Sequence, residues 1–458
     1  MSIQVSPSPI PNSNLVSLTS TLLDKDTYLT ELLNQVTAPK TEGWLQELRQ
    51  SAANWVRHST IPTTRDEEWR FTDLSSLRKV QFNNVETRNF ASLQFDILPE
   101  AVNSRLVFVN GVFAPELSAV SDLPSGIVVS NLAGLSAVEQ EGVQQYLAQA
   151  EGAQEVFTAL NTAGITDAAV VWVKKNVIVE TPIHLVFISV AGETATISQP
   201  RCLVVAESGS QVSLVEEYVA LMLPTPQEEG VYFTNAVTEI WVGDNAEVSH
   251  TRVEREGAEA FHIGKTAIAQ ARDSRYTCHA ITLGAKLSRH NLEILQTGEQ
   301  TQTTLNGLTI ISGKQLSDTH SAIALNYPHG TSDQLHKCIV GDRAHAVFNG
   351  KVLVPKRAQL TNAAQLNRNL LLSSKARVDT KPQLEITADN VKCAHGATVS
   401  QLEDDEIFYL QSRGIDENDA RKLLINAFAA EVINKIPVPS LREILLNTVN
   451  NLKSLTND

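Results

Sequence analysis

Cysteine, positive charge and long apolar runs are all scarce in this sequence, and each shortage removes a class of protein. Only four cysteines occur in 458 residues, Cys202, Cys278, Cys338 and Cys393, and none lies in a C-x-x-C pair. That is too thin for a disulfide framework, so the thiols read as reduced. Lys and Arg number 37 against 51 Asp and Glu, a net charge of −14 with a pI near 5.3. A surface of that sign argues against nucleic acid and against an anionic membrane, because phosphate binding needs clustered cations. No apolar run approaches the roughly 18 residues of a membrane-spanning helix. The opening MSIQVSPSPIPNSN has neither a charged n-region nor an apolar h-region, and it lacks the arginines of a plastid leader. The expectation is a cytoplasmic protein.

Catalytic signatures are missing too. Neither G-x-S-x-G nor H-E-x-x-H occurs. Gly264-Lys265-Thr266 imitates the end of a phosphate-binding loop, but the position that needs the first glycine is Glu259, whose carboxylate would repel phosphates. The expectation is a strand-and-turn coincidence and no ATP hydrolysis by this chain. Glu403-Asp404-Asp405-Glu406 puts four acids in a row at a helix start, where the helix dipole accounts for them without catalysis. Trp44, Trp55 and Trp69 read as core residues.

What is present is enough apolar residue, 42%, for a large core. Two helical patterns open the chain, near 21–36 and 43–58. The charged, aromatic run Arg65–Leu74 follows, and RLVFVNGVF (105–113) reads as two strands around an Asn-Gly turn. A mixed N-terminal domain is expected over 1–160. From 161 to 400, Val, Ile, Thr and Leu alternate with polar residues in short runs. A loose unit recurs: a turn, a small residue, any residue, then an apolar one, as in Ser210-Gln211-Val212, Ala246-Glu247-Val248, Ala285-Lys286-Leu287, Ala358-Gln359-Leu360 and Ala376-Arg377-Val378. The tightest spacing, Ala358 to Ala376, is 18 residues and fits one coil of a β-solenoid, with a β-sandwich as the rival. LMLPTPQEEG (221–230) reads as an exposed acidic loop. Over 401–458 the pattern turns helical. Ser400/Glu403 and Ser440/Glu443 read as capping boxes, Gly414 as a helix stop and Asp416 as a cap. The stripe of the middle helix is read as Ala420, Leu423, Leu424, Ala427 and Phe428.

Among candidate ligands, Cys393 and His395 are two apart. On a strand they share one face and offer a thiolate and an imidazole, both good ligands for iron or zinc. His336 and Cys338 have the same spacing, whereas Cys278 and His279 face opposite ways. Two ligands do not close a tetrahedral site, so the remainder would come from another subunit. The plainer reading of any of these cysteines is a small buried hydrophobe.

Several blocks together carry a resemblance. They are GDRAHAVFNGK (341–351), QLNRNLL (365–371), DTKPQLEI (379–386), ADNVKCAHGATV (388–399), YLQSRGI (409–415) and AFAAE (427–431). In combination they resemble the SufB/SufD family of the Suf iron–sulfur cluster assembly system. The Glu68–Leu74 run EWRFTDL resembles the family's D-type subunits, and the lack of any cysteine before Cys202 also points away from the B type. The resemblance implies a mainly β chain, with a right-handed parallel β-helix flanked by helical domains. It implies a non-catalytic scaffold that pairs with SufB as a heterodimer and binds the ATPase SufC through its C-terminal helices, with a homodimer possible in isolation. No tightly bound cofactor is expected, only transient iron, sulfide or a nascent cluster shared with SufB. His395 matches the family's D-subunit histidine at that interface, and Cys393 its neighbouring cysteine. Phe408, Tyr409, Arg413, Gly414 and Phe428 fall in the region implied for ATPase docking. Ala394 stands where Ser or Thr is common. SufB itself and a β-helix carbohydrate-active enzyme are the alternatives.

Overall fold

A computed structural model describes residues 25–36, 43–84, 93–221 and 230–451. The segment 222–229, read above as an acidic loop, and the start of the first helical pattern lie outside them. Helix α1 (Thr27–Val36) buries Leu29, Leu32, Leu33 and Val36, one face at helical spacing. Helix α2 (Trp44–Arg57) follows, then the short helices α3 (Ala137–Val143) and α4 (Val156–Ala163). Helix α3 is held by a capping box between Ser136 and Glu139, a signal the sequence reading missed because only seven residues follow it. The Asn-Gly turn is as expected. Ser104–Val109 pairs antiparallel with Val112–Phe113, and both Asn110 and Gly111 have positive φ.

The body is a parallel β-solenoid of about eight turns with two sheets. Sheet one stacks Ala169–Val173, Arg201–Ala206, Tyr232–Val242, Phe261–Gln270, Leu287–Gln296, Leu316–Ala324, His345–Val354 and Arg377–Ile386. Sheet two stacks Ile183–Val190, Gln211–Leu221, Glu247–Arg255, Arg275–Thr282, Gln302–Ile311, Thr331–Val340, Asn362–Leu371 and Lys392–Gln401. Strands from the N-terminal region extend both sheets at the other end. Ser104–Val109 pairs with Ile183–Val190, and Ile127–Asn131 pairs with Ala169–Val173.

One full turn is longer than the 18 residues read from the sequence. Leu287 lies beside Leu316 and Leu316 beside His345, steps of 29 residues. The 18-residue spacing is real but joins corners of opposite sheets, since Ala358 precedes a strand of sheet two and Ala376 one of sheet one. The recurring unit is the corner itself. Gly209, Asn245, Asp273, Gln300, His329 and Leu360 all have positive φ, and each stands two residues before a strand of sheet two. The residue after each is small and enclosed: Ser210, Ala246, Ser274, Thr301, Gly330 and Thr361. A bulkier residue there would have to enter the coil interior.

Inside the coil, identical positions of successive turns stack. Ile240, Ile268, Ile294, Ile323 and Val352 form one continuous rung-to-rung column, all buried. Each such side chain contributes about 1.5–3 kcal/mol when taken out of water. The interior also holds paired charge, as in Glu216 with His250 at 2.7 Å.

The C-terminal helices are α5 (Asp404–Gln411), α6 (Glu417–Ile433) and α7 (Pro439–Asn450). Asp416 caps α6 and Gly414, at positive φ, ends α5, as read. Neither proposed capping box forms. Ser400 is still in the last strand, and Ser440 instead binds Glu100, while α7 starts at Pro439, whose missing N–H costs nothing at a helix start. The buried stripe of α6 is Ala420, Ile425, Ala429, Val432 and Ile433, not the one expected; Leu423 is exposed. That stripe packs on the outer face of sheet two against Leu308, Leu335, Ile339 and Leu370.

Candidate functional site

The last coil has no coil beyond it among the described residues. Arg377–Ile386 and Lys392–Gln401 each pair on one side only, so their other backbone edges are open. The register shows which side chains face inward. Ala363, Gln365, Asn367 and Asn369 are buried, and their neighbours in the terminal strand are Cys393, His395, Ala397 and Val399. Cys393 and His395 therefore point into the solenoid from its final rung, where nothing covers them. Cys393 is half-buried against the core and His395 is exposed. Strand alternation puts them on one face, roughly 6.8 Å apart along the backbone.

Around this pair the lumen is polar. Gln365, in register with His395, donates to Gln334 at 2.8 Å, and Gln334 donates to Ser321 at 2.8 Å. Gln365 Oε1 is buried and has no hydrogen-bond partner, one rung from the imidazole. Asn369 donates to the Thr398 carbonyl of the terminal strand at 2.9 Å. Burial pushes the Cys393 thiol up from its ordinary value, with the Ala363 backbone N–H working the other way. Sequence reasoning missed Gln334 and Gln365, because amides in a strand carry no motif and only the register aligns them with His395.

The other spaced pairs are enclosed. His336 stacks on Phe348 at 4.8 Å and burial pulls its imidazole down to about 4; Cys338 is buried beside it. Cys278 faces the lumen, and His279 faces Lys435 of the tail. All four cysteines are free. Gly264-Lys265-Thr266 is mid-strand, as expected of the phosphate-loop imitation. Among the described residues, no group of three or more His, Cys, Asp or Glu is arranged to hold a metal ion.

In the tail, Phe408 and Tyr409 are 70% and 58% exposed, and Arg413 lies over the Tyr409 ring at 5.3 Å. Gly414 forms the turn into α6. Phe428 faces the other way. Its ring is held by Lys337 at 4.0 Å and Arg368 at 5.8 Å on the solenoid wall, and it is only partly exposed. Trp55, read as core, is 45% exposed. Trp69 packs over Arg289 at 3.9 Å. The run around it ties the N-terminal region to sheet one through Glu68–His320 at 3.2 Å and Glu67–Lys381 at 2.8 Å.

Two family descriptions match the chain, "SUF system FeS cluster assembly, SufBD core domain" over residues 187–428 and "SufBD protein N-terminal region" over 27–185. The chain belongs to the SufBD family. It is 51% identical to an iron–sulfur cluster assembly SufBD family protein of Synechocystis over 94% of this chain and 96% of that one. It is 32% identical to the iron–sulfur cluster assembly protein SufD of Escherichia coli over 95% and 96%. The chloroplastic protein ABCI7 of Arabidopsis thaliana is 37% identical over 91% and 87%. As a SufBD protein the chain takes part in iron–sulfur cluster assembly. No helix among the described residues is long and apolar enough to cross a membrane.

Proposed function

We propose that this SufBD chain is a D-type scaffold subunit without turnover of its own, which pairs with SufB through the open end of its solenoid. The observation that carries this is the last coil. Two unpaired strand edges and inward-facing apolar side chains, among them Val399 at 50% exposed, end the solenoid where a further coil would bury them. A second solenoid joining there would continue both sheets and cover the lumen. Open edges also favour self-pairing, so a homodimer is the expected form when SufB is absent.

In this reading Cys393 and His395 supply two ligands to iron, sulfide or a nascent cluster, which are cargo, and SufB supplies the rest. Neutral imidazole and thiolate both suit iron. The half-buried thiol has a raised pKa, so it would stay protonated until a metal ion bound to sulfur displaces the proton to solvent. The ATPase SufC binds the tail, where Phe408, Tyr409 and Arg413 offer an exposed aromatic and cationic surface beside Gly414. Phe428 serves this surface indirectly, by fixing α6 to the solenoid.

The test is His395→Ala in the reconstituted complex with SufB and SufC, reading cluster formation by absorbance. Cluster yield should fall with the complex intact by size-exclusion chromatography. An unchanged yield removes His395 from the site.

A further inference from the structure

Between the N-terminal helices and the outer face of sheet one lies a cleft of about 1050 Å³. A seam between two regions is where small-molecule sites concentrate, and this volume encloses a drug-sized ligand. Its floor is set by the pleat. Ala267, Glu293, Ala322 and Lys351 form one cross-strand row. At roughly 4.8 Å per rung, Ala322 leaves a trough of about 10 Å between Glu293 and Lys351.

The two ends of the trough differ in charge. At one end the Lys265 ammonium, on a side chain 4% exposed, lies 2.5 Å from Glu293 and 3.2 Å from Glu155. One cation faces two carboxylates. Burial pushes Glu293 up to about 7, so a proton stands where a second cation would go. At the other end charges balance. Lys351 is paired with Glu385 at 2.7 Å, and His320 with Asp318 at 3.0 Å and Glu68 at 3.2 Å. There Asn349, only 7% exposed, lines the cleft, and its side-chain amide makes no hydrogen bond among the described residues. Three indoles, Trp69, Trp241 and the half-exposed Trp55, line the cleft as well; the Trp55 N–H is anchored on the Gln154 carbonyl at 2.6 Å.

Histidines aside, the lining carries Asp66, Glu68, Glu151, Glu155 and Glu293 against Lys25, Lys265, Arg289 and Lys351, an acidic excess that disfavours an anion. A dication would meet His320 and Lys351 at the far end. We propose that the cleft binds an elongated organic monocation, with its ammonium head at Glu155 and Glu293, its apolar spine over Ala322 and the indoles, and a neutral hydrogen-bonding tail at Asn349.

N-acetylputrescine has this form and serves as the probe, by isothermal titration calorimetry on the full chain. Saturable binding is expected. Below pH 7 the heat should depend on the buffer's ionisation enthalpy, because the arriving ammonium displaces the Glu293 proton. Glu293→Gln should weaken binding roughly tenfold or more, the worth of a charge-assisted hydrogen bond. Asn349→Ala should weaken it several-fold, and diacetylputrescine, which has no charge, should not bind. The exposed and distant Glu180→Gln serves as the control and should bind like the unaltered chain. Equal melting temperatures establish that the variants fold. Absence of saturation at millimolar probe overturns the proposal. So does equal binding by Glu293→Gln, which would reveal diffuse attraction to an acidic chain.

Discussion

Replacing Glu431 by glutamine tests how the helical tail is held on the solenoid. Lys337 on the strand Thr331–Val340 and Arg368 on its neighbour lie side by side in register and face outward. Both reach the Glu431 carboxylate of α6, Lys337 through a very short contact and Arg368 at 3.2 Å. The Lys337 side chain is 1% exposed, and its ammonium also donates to the Phe428 carbonyl at 2.8 Å. Breaking a fully buried pair costs about 3–5 kcal/mol, and an exposed one about 0–1 kcal/mol. Glu431 is 44% exposed, so water partly replaces it, and the loss falls near 1–2 kcal/mol. That is roughly a 5–30-fold rise in the open population of the tail. Hydrogen exchange followed by mass spectrometry should show it as faster exchange across α6 and α7, with the sheet-one strands before residue 300 unchanged. Lys337→Met, which removes the buried charge and keeps its volume, should loosen the tail less than Glu431→Gln does. The hydrogen bond from Lys337 holds the Glu431 carboxyl below its usual range. Its contribution is therefore complete above the unfolded value near 4.3 and is lost as pH falls through the folded value, so the variant and the unaltered chain converge only at pH below the ordinary carboxylate range. Unchanged exchange in Glu431→Gln, or a greater loosening by Lys337→Met, would refute the reasoning.

Three further outcomes are expected. A maleimide reagent should modify Cys393 alone in the native chain and all four cysteines in denaturant, with native labelling accelerating as pH rises; native modification of Cys338 would show that the last coils open. Leu360→Gly should raise the thermal midpoint, since Leu360 holds φ +61° with its side chain 50% exposed, and releasing an L-residue from that conformation is worth about 1 kcal/mol. Burial alone would lower the His320 imidazole, but Asp318 and Glu68 reverse this and leave it raised. The tie it makes should thus be complete below pH 6.5 or so and fade as pH climbs through the folded value, visible as faster intrinsic-rate-corrected exchange over 63–72 that His320→Asn abolishes.

The corners were the legible part of the fold. The turn, small residue and apolar residue that recur at Ser210 and Ala246 are what the coil geometry demands, so the solenoid could be read from them; at Ala358 the unit falls three residues early, and Leu360 takes the positive-φ place that Gly209 and Asn245 hold. The turn length could not, because corners of both sheets share one chemistry and their interleaving hides the 29-residue step. Capping serines failed for a related reason. Ser400 and Ser440 satisfy a local rule, yet a strand partner and Glu100 respectively compete for them. In the site, alternation alone put Cys393 and His395 on one face. That this face is the lumen, and that Gln365 stands beside His395, follows only from rung-to-rung register, a contact between residues 30 apart. The exposed indole of Trp55 and the charge imbalance around Lys265 are long-range facts of the same kind.

The corner ladder makes the solenoid a ruler. From Ala169–Val173 to Arg377–Ile386 sheet one takes seven steps, about 34 Å of rigid separation between its first coil and the open end. A repeated corner adds or deletes a whole turn without disturbing its neighbours, so this span can change only in increments of about 4.8 Å. Anything that grips the molecule at both ends must be matched to it in whole rungs.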